Sequence, residues 1–445
     1  MTKRVPPTWS RREFLELSAT TSAAIAVQPF KFRPVAQSDT VRFGIVGVGM
    51  QGSGLLGTSI QLPGVTCAGA ADLYDGRHTL AKEIAGANLP TTRRYQQLLE
   101  DKSIHCIIGA VPDHWHRKLV VDAVSAGKDV YIEKPMSHSA ADGVAMVDAV
   151  KKANRIVQVG SQRVSSQICA KAKELLAQGA IGDLMMVEAR LGRNSPTGAW
   201  QYPPPPDLSP RTLDWDAWQG DAPKRAFDAN IFARWRCYKE YGTGVAGDLL
   251  VHLVSGMMFI LGVNEPPRQA TSVGGIRRWK DGRNMPDVHL VQYYWGDLPV
   301  SMRLNLGTDI QEGYWFHGSK GVLELTGSRL TVTPQSGRDE WPSYYATNSY
   351  PGALRQAYEA KWHQDNDPKL GQSAVFSEAT TYTAQDFDDT RVHLWTFFEA
   401  VRSRKPVVED VVFGHNAALA CHMANEAYAR RSAVSWDEAS KTIRG

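Results

Sequence analysis

Short apolar runs alternate with amphipathic stretches between residues 41 and 163. Strands that alternate with helices at this spacing form a parallel, doubly wound sheet, whose ligands bind beyond the carboxyl ends of the strands. We therefore predict an α/β domain of the Rossmann type over residues 41–163. Its predicted strands are Val41–Val46, Val65–Ala71, Ile104–Ala110, Lys128–Glu133 and Ile156–Gly160, and its predicted helices include His116–Ala126 and Ala140–Asn154.

The remaining residues, 164–445, have a more strand-like pattern that closes with two helical patterns. We assign them to a second domain, with a loop-rich insertion over residues 200–241. The polar segment 335–387 is compatible with a surface excursion or with an arm to another subunit. The predicted strands are Leu184–Arg190, Val291–Leu304, Gly321–Leu325 and Leu330–Thr333, and the predicted helices are Arg391–Arg402 and Gly414–Arg431.

The first 37 residues have the pattern of a targeting sequence. Arg11 and Arg12 precede a mildly apolar stretch, Leu17–Phe30, which is shorter than the ~20 residues that a bilayer crossing needs. We predict a twin-arginine signal peptide over residues 1–37, cleaved near Ala36. A disordered basic tail is the alternative. The prediction implies the twin-arginine export machinery as a partner, a periplasmic or otherwise exported protein, and no membrane anchor.

The net charge and the cysteine content exclude some further classes of protein. The 50 basic and 46 acidic residues leave a net charge of +4, which the leader alone accounts for, so a nucleic-acid partner is not expected. The five cysteines are widely spaced and form no Cys-x-x-Cys pair, which favours buried thiols over a metal or disulfide framework.

A glycine motif follows the first predicted strand directly. Gly47, Gly49 and Gly52 form Gly-x-Gly-x-x-Gly with Met50 and Gln51 between them. Such a loop lets a pyrophosphate approach the backbone at a helix N-terminus, where free N–H groups and the helix dipole favour anions. The motif predicts a dinucleotide cofactor bound by these five residues.

An acidic residue at the end of the second strand indicates which dinucleotide is bound. Asp72 lies twenty residues after Gly52, where its carboxylate would accept the adenosine ribose hydroxyls. The negative charge repels a 2′-phosphate and favours NAD, although the nearby Arg77 leaves NADP open.

Three further strand ends carry polar residues that would meet the cofactor. A His-x-His pair at 114 and 116 lacks further metal-type ligands, so we interpret it as a helix start that packs on the cofactor. Arg163 lies where it would meet the substrate. The predicted cofactor contacts at these strand ends are Pro112, His114, His116, Glu133, Lys134 and Gln162.

With Glu133-Lys134-Pro135 added to the motifs above, the chain resembles the Gfo/Idh/MocA family of oxidoreductases over almost everything from Val41 to the C-terminus. The matching pieces include the glycine motif, Asp72, Gly247–His252 and Phe316–Gly321, in this order. The resemblance implies an N-terminal Rossmann domain and a C-terminal α+β domain with a large open, mostly antiparallel sheet that serves as an oligomer interface. It also implies an enzyme that acts on a sugar or polyol with a nicotinamide cofactor.

Asp248 and His252 are the most informative pair. Their i, i+4 spacing places both side chains on one face of a helix. Oxidation of an alcohol needs a base for the hydroxyl proton, and histidine titrates near neutral pH. The resemblance gives catalytic roles to Lys134, Asp248 and His252, with His252 as the base. The alternative is a capping aspartate and a core histidine beside a satisfied lysine.

The insertion is our candidate substrate wall, because tryptophan faces stack on sugars and arginines anchor hydroxyls. Buried loop anchors explain its four tryptophans equally well. The predicted substrate contacts are Arg163, Trp200, Arg234, Arg236 and Tyr238, and the other three tryptophans are Trp215, Trp218 and Trp235.

Together these observations predict an exported NAD(P)-dependent oxidoreductase that transfers hydride between a sugar or polyol hydroxyl and a tightly bound cofactor. The cofactor must be regenerated on the enzyme, because no free nicotinamide pool exists outside the inner membrane. A redox-neutral NAD-dependent glycosidase is the alternative, although Gly242–Asp248 departs from the Gly-His-Gly-Gly signature of those enzymes. A non-catalytic sugar-binding protein is the third possibility, and a homo-oligomer is expected in each case.

Overall fold

The fold is described from a computed structural model for residues 24–335, 344–366, 378–385 and 388–445. The predicted twin-arginine pair, Arg11 and Arg12, lies outside these residues, as do parts of the polar segment 335–387.

The second part of the predicted leader contacts the folded domains. Strand β1 (Ile25–Ala26) pairs in parallel with Tyr382–Thr383. The Phe32 ring meets the Trp395 ring edge-on, with centroids 5.4 Å apart. Residues 25–35 therefore lie along both domains as an N-terminal arm.

The first domain is built on a six-stranded parallel sheet in the order β4-β3-β2-β5-β6-β7, which confirms the predicted Rossmann fold. The strands end within about two residues of the predicted positions. The strands are β2 (Val41–Val46), β3 (Val65–Ala71), β4 (Thr91–Thr92), β5 (Cys106–Gly109), β6 (Asp129–Ile132) and β7 (Val157–Val159). The helices are α1 (Met50–Ile60), α2 (Asp75–Ala85), α3 (Gln96–Glu100), α4 (His116–Ser125) and α5 (Ala140–Ala153).

The second domain carries a sheet that has eleven strands within the described residues. Two pairs, β8 with β11 and β1 with β15, are parallel and the others are antiparallel, so the predicted large, mostly antiparallel sheet is confirmed. The order is β1-β15-β14-β13-β12-β8-β11-β10-β9-β16-β17. The strands after β7 are β8 (Leu184–Gly192), β9 (Gln269–Gly275), β10 (Val288–Trp295), β11 (Leu298–Asn305), β12 (Gly313–Gly318), β13 (Gly321–Thr326), β14 (Arg329–Pro334), β15 (Thr380–Thr383), β16 (Val434–Asp437) and β17 (Thr442–Arg444).

One of the predicted strands forms two separate strands in the structure. The run Val291–Leu304 folds back on itself as the hairpin β10–β11, because Gly296 adopts a left-handed backbone (φ +60°) that opens a two-residue turn between the paired Trp295 and Leu298. The dipeptide Gly296-Asp297 is a local hairpin signal that the prediction of a single strand did not take into account.

Helices of the second domain pack on both sheets. The predicted C-terminal helices are α12 (Asp389–Ser403) and α13 (Val411–Arg430), and they return to the first domain, where Phe398 packs on Phe43 with ring centroids 5.7 Å apart. The other helices are α6 (Gln167–Ala177), α7 (Trp215–Gln219), α8 (Ala229–Ala233), α9 (Val251–Leu261), α10 (Tyr344–Thr347) and α11 (Gly352–Asn366). In the described part of the chain, no helix combines the length and apolarity required to cross a bilayer. All five cysteines are free thiols.

Candidate active site

The glycine loop connects β2 to the N-terminus of α1. Gly47 needs its left-handed backbone (φ +85°), and a Cβ there would lie 2.5 Å from the Ala110 carbonyl oxygen. A Cβ on Gly52 would overlap the Gly47 carbonyl oxygen, whereas one on Gly49 would meet nothing within 4 Å. The loop therefore packs tightly against β5 while its backbone at Gly49 stays open to an anion at the start of α1.

Asp72 is held at the end of β3 by two backbone N–H groups. Its Oδ2 accepts from Val48 at 2.8 Å and its Oδ1 from Tyr74 at 3.0 Å. Burial raises the pKa of Asp72, and these two hydrogen bonds oppose the rise. The carboxyl group lies beside Arg77 and Arg94 in the wall of one cavity, so it is placed to accept hydrogen bonds from a ribose.

That cavity, which we call the cofactor cavity, has a volume of about 740 Å³ and runs from Asp72 to Lys134. The donor groups in its wall fit an extended dinucleotide: an open glycine loop at a helix N-terminus and a carboxyl group at the adjacent strand end. Eight of the predicted cofactor residues line it: Gly47, Gly49, Met50, Gln51, Asp72, Pro112, Glu133 and Lys134.

The predicted contacts His114 and His116 lie behind this wall. The His114 ring nitrogens approach the carbonyl oxygens of Tyr241 and Trp218, at 3.2 and 2.9 Å. The His116 ring does the same with Pro135 and Val111, at 2.8 and 2.9 Å. Burial lowers the pKa of His114 to about 4. Both histidines thus connect the α4 start to neighbouring loops, and neither lines a cavity.

A smaller cavity of about 200 Å³ opens from the cofactor cavity at Lys134. We call it the inner cavity. The structure brings Lys134, Asp248 and His252 together in its wall. The other lining residues are Gln51, Gln162, Arg193, Trp200, Tyr202, Arg236 and Leu249.

Asp248 is the centre of the hydrogen bonding in this cavity. The Lys134 ammonium donates to its Oδ1 and to its main-chain carbonyl oxygen, both at 2.8 Å. Arg236 Nε donates to the same Oδ1 at 2.9 Å, and Trp200 Nε1 donates to Oδ2 at 3.0 Å. Burial raises the pKa of Asp248, but Lys134 and Arg236 outweigh burial and hold the pKa well below its usual range. Asp248 is therefore an ionised anchor that positions Lys134.

Local backbone geometry sets these positions. Asp248 lies in a single π-helical turn, Ala246–Leu250, which leads into α9. Such turns occur frequently at functional sites. Trp200 adopts a left-handed backbone (φ +59°) that costs a bulky residue about 1–3 kcal/mol. Its hydrogen bond to Asp248 helps to hold this conformation.

His252 is a second informative polar group of the inner cavity. It lies in the first turn of α9, and within the described residues its ring makes no hydrogen bond. Burial, followed by the charges of Lys134 and Arg163, holds the pKa of His252 well below its usual range. The ring is therefore a neutral imidazole that can accept a proton from a bound molecule.

Glu133 lies beneath Lys134 at the boundary of the two cavities. It accepts hydrogen bonds from Gln51 at 3.1 Å and from Gln162 at 3.4 Å. Burial raises the pKa of Glu133 to about 7, and the neighbouring Lys134 opposes the rise.

The insertion 200–241 contains both buried anchor tryptophans and cavity-lining tryptophans, the two alternatives that the sequence left open. Trp215 and Trp218 are buried anchors, stacked 4.9 Å apart, although Trp218 also reaches the cofactor cavity. Trp200 lines the inner cavity, and Trp235 lines the cofactor cavity. The insertion therefore covers the cofactor site as well as the inner cavity.

Three of the predicted substrate residues lie outside both cavity walls. Arg163 pairs with Glu312, Arg234 donates to the Tyr202 carbonyl oxygen at 3.2 Å, and Tyr238 packs against the apolar cluster around Trp218. Arg236 and Trp200 are the two that line the inner cavity.

Sequence reasoning missed Arg193 and Tyr202 in the inner cavity, and also the buried Asp113. Asp113 accepts hydrogen bonds from the N–H and hydroxyl of Thr243, at 3.0 and 2.7 Å, and so fixes the segment that leads to Asp248. Asp113 lies inside a motif that the sequence did single out, whereas Arg193 follows a strand with no recognisable signal.

Comparison with known proteins defines the class of the first domain. Residues 41–161 match the model of the Gfo/Idh/MocA family, described as an oxidoreductase family with an NAD-binding Rossmann fold. The N-terminal domain is thus similar to the NAD-binding Rossmann domains of that family, and the residues that line the cofactor cavity fit NAD.

Individual relatives extend the comparison. The chain is 31% identical to inositol 2-dehydrogenase of Salmonella paratyphi B over 153 residues, which are 34% of this chain and 46% of that protein, so the match spans about half of the relative's length. It is 22% identical to a glycosyl hydrolase family 109 protein of Saccharopolyspora erythraea over 69% of this chain and 67% of that one. A levoglucosan dehydrogenase solved in complex with NADH shares the fold, with a TM-score of 0.63 and 18% identity over 89% of this chain and 99% of that one.

Proposed function

We propose that the protein is an NAD-dependent oxidoreductase that acts on a secondary hydroxyl of a sugar or polyol. The observation that carries the proposal is the unbonded, neutral His252 ring beside Lys134, at the point where the inner cavity opens into the cofactor cavity. The similarity to inositol and levoglucosan dehydrogenases supports this substrate class.

The chemistry follows from the side chains present. His252 accepts the hydroxyl proton of the substrate. Lys134, fixed by its two bonds to Asp248, donates a hydrogen bond to the oxygen and stabilises the developing alkoxide. NAD, when bound, supplies the hydride acceptor. Asp248 remains ionised throughout, because all its bonds come from donors on the protein.

We propose that the cofactor stays bound through turnover. The insertion covers the adenosine end of the cofactor cavity: Asp214 N–H donates to the Leu73 carbonyl oxygen at 3.1 Å, and Asp75 N–H donates to that of Thr212 at 2.9 Å. Tyr74 also hydrogen-bonds Asp207. We expect these contacts to slow the release of the dinucleotide.

We also propose export by the twin-arginine route, on the sequence pattern of residues 1–37. The contact of Phe32 with α12 favours cleavage ahead of Phe32 over cleavage near Ala36, and a cut after Ala26 would remove β1 but keep the rest of the N-terminal arm. Ala24-Ile25-Ala26 offers the small-x-small pattern that signal peptidases read, and cleavage there would leave Phe32 in place. A retained cofactor and an exported enzyme are consistent with each other, since reoxidation must then use a second substrate on the same protein.

We propose a homo-oligomer formed through the outer face of the C-terminal sheet. Val273 and its cross-strand partner Leu290 are exposed there, at 67% and 39%, and Tyr294 on the same strand as Leu290 is 50% exposed. Contiguous exposed apolar side chains mark association surfaces. Light scattering should give a mass of at least two subunits, and Val273→Asp should reduce it.

A redox-neutral glycosidase is the second candidate. It is favoured by the glycosyl hydrolase relative, whose match covers more of the chain than that of the inositol dehydrogenase. In this reaction His252 and Lys134 would assist formation of a transient ketone, with the hydride passing to NAD; the ketone acidifies a neighbouring C–H and the aglycone is eliminated. Addition of water and return of the same hydride to the ketone would complete the cycle with no net redox change.

One set of assays tests these proposals. Purified protein should carry NAD(H), detected by absorbance near 340 nm and by mass spectrometry of the denatured sample, and protein free of nucleotide would refute retention. Aryl glycosides and, separately, free aldoses with a keto acceptor should then be supplied. Aldose oxidation supports the dehydrogenase, and release of the aryl alcohol without an acceptor supports the glycosidase.

Variants identify the catalytic groups. His252→Gln and Lys134→Met should each lower kcat by about 10²–10⁴-fold while the bound NAD is kept. If both variants turn over as fast as an active wild type, the assigned roles are refuted. A wild type with no activity on any of these sugars would favour a sugar-binding protein.

A further inference from the structure

The inner cavity contains more positive than negative charge. Its wall carries the side chains of Lys134, Arg193 and Arg236, whereas Asp248 is its one carboxylate among the described residues. A neutral polyol needs no such excess, because hydroxyl groups are bound by neutral donors and acceptors as well as by charges.

Asp248 cannot balance all three cations. Both of its oxygens are engaged, by Lys134 and Arg236 on one side and by Trp200 on the other. Arg236 uses only its Nε in this contact, and its guanidinium carbon lies 4.2 Å from the Trp235 ring centroid. In the part of the chain that the structure describes, its two terminal nitrogens form no hydrogen bond.

Arg193 has no counter-charge at all within the described residues. It follows β8, its side chain is half-buried, and no carboxylate there lies within 4.0 Å of its guanidinium. The nearby carboxyl groups are occupied elsewhere: Glu312 pairs with Arg163, Asp309 accepts from the Asn194 N–H, and Glu133 bonds Gln51 and Gln162.

These cations do not face the cofactor phosphates. The open glycine loop lines the cofactor cavity, whereas Arg193 lines only the inner cavity. Arg236 lines both, and its Nε bonds Asp248, which lines the inner cavity and not the cofactor cavity. The unpaired positive charge therefore belongs to the place where a substrate would lie.

We infer that the substrate is an acidic sugar whose carboxylate is bound by Arg193 and Arg236. Guanidinium groups match carboxylates with two parallel hydrogen bonds, and Trp235 holds Arg236 in a fixed plane for this contact. The reacting hydroxyl then lies against Lys134 and His252. The inner cavity, at about 200 Å³, suits one monosaccharide unit.

The inference also accounts for the weak basicity of His252. Besides burial, the charges of Lys134, Arg163 and Arg193 oppose its protonation. A bound carboxylate would offset part of this positive field and strengthen the imidazole as a base in the complex. An acidic substrate would thereby activate the group that removes its own hydroxyl proton.

The inference rests on the proposed function, so its test separates the two. Glucuronate and galacturonate are compared with glucose and galactose, by reduction of the bound cofactor at 340 nm and by calorimetric binding. Wild type should prefer the acids by about 10- to 150-fold in kcat/KM, the range of a single charged hydrogen-bonded contact. Arg193→Gln should lower this ratio by a similar factor, and Arg193→Lys should restore part of it.

Arg42→Gln is the matched control, since Arg42 is exposed at the start of β2 and lines neither cavity; its ratio should equal that of wild type. Equal or better use of neutral sugars, or an unchanged ratio in Arg193→Gln, overturns the inference. A sulfated monosaccharide preferred over both acids overturns the assignment to a carboxylate. If no sugar reduces the cofactor, the oxidoreductase proposal fails. The calorimetric binding data then test the inference. Binding of the sugar acids that Arg193→Gln abolishes supports it, and no binding of the sugar acids to wild type overturns it.

Discussion

The contacts of Asp248 make Asp248→Asn a direct test of the site's architecture. Three donors, from Lys134, Arg236 and Trp200, converge on a carboxylate that is only 8% exposed. An asparagine offers one carbonyl oxygen, and its NH₂ group must face at least one of these donors. Two buried cations would also lose their shared counter-charge.

The expected loss of stability follows from this geometry. The Lys134 and Asp248 side chains are 12% and 11% exposed, so solvent screens the pair weakly. Removal of one partner from a buried pair costs about 3–5 kcal/mol. With an m-value near 3 kcal/mol/M, the midpoint of urea unfolding should fall by roughly 1 M or more. Glu426→Gln is the matched control, because it changes the exposed pair with Arg430, which is worth at most about 1 kcal/mol.

Acid should remove the difference between wild type and variant. The folded-state pKa of Asp248 is depressed, so its contribution is present above the unfolded pKa of about 4 and is lost as the pH falls through the folded value. The two unfolding free energies should therefore converge below pH 4. A variant as stable as wild type at pH 7, or a gap that persists in acid, would refute the role of Asp248 as counter-charge.

Three other changes probe separate parts of the molecule. Gly52→Ala should lower NAD affinity at least tenfold or prevent folding, because the added Cβ overlaps the Gly47 carbonyl oxygen. The control is Gly57→Ala in the same helix, which should raise the free energy of unfolding by about 0.5–1 kcal/mol. Equal NAD affinity in the two variants would contradict the packing of the loop. Glu133→Gln should become more stable relative to wild type as the pH rises from about 4.5 to 7. In this range the unfolded wild type loses the Glu133 proton while the folded protein keeps it, which costs the wild type stability. A difference in unfolding free energy that does not change with pH would argue against a pKa raised by burial. Phe32→Ala should lower the thermal midpoint by a few degrees and speed proteolysis of residues 24–37, and an unaltered cleavage pattern would mean that the arm is not docked.

The first domain is largely readable from the sequence because its signals are local. The glycine motif, the apolar strands and Asp72 lie within one stretch of chain, and the strand bounds agree with the structure to within about two residues. The hairpin at Gly296 and the return of α12 and α13 to the first domain were not predicted. The hairpin was missed although Gly296-Asp297 is a local turn signal, whereas the return of the two helices depends on contacts between distant segments, which periodicity does not record.

The candidate active site also combines features that the sequence predicts with features that it does not. The sequence pairs Asp248 with His252 by helical spacing, but the π turn and the three donors on Asp248 depend on chain segments that lie 12, 48 and 114 residues away. Arg193 reaches the inner cavity only because β8 is the central strand between β11 and β12. The tryptophans of the insertion could not be sorted into anchors and lining residues without knowing which of them face the first domain.

The return of α12 and α13 to the Rossmann sheet constrains the order in which the chain can fold during synthesis. Phe43 is buried partly by Phe398, and the cluster around Ile107 includes Val411 and Ala418. The ribosome adds these residues some 300 to 350 positions after the strands that they cover. The first domain must therefore remain incomplete, with apolar surface exposed, until nearly the whole chain has emerged, and a fragment of residues 41–161 is expected to aggregate when made alone.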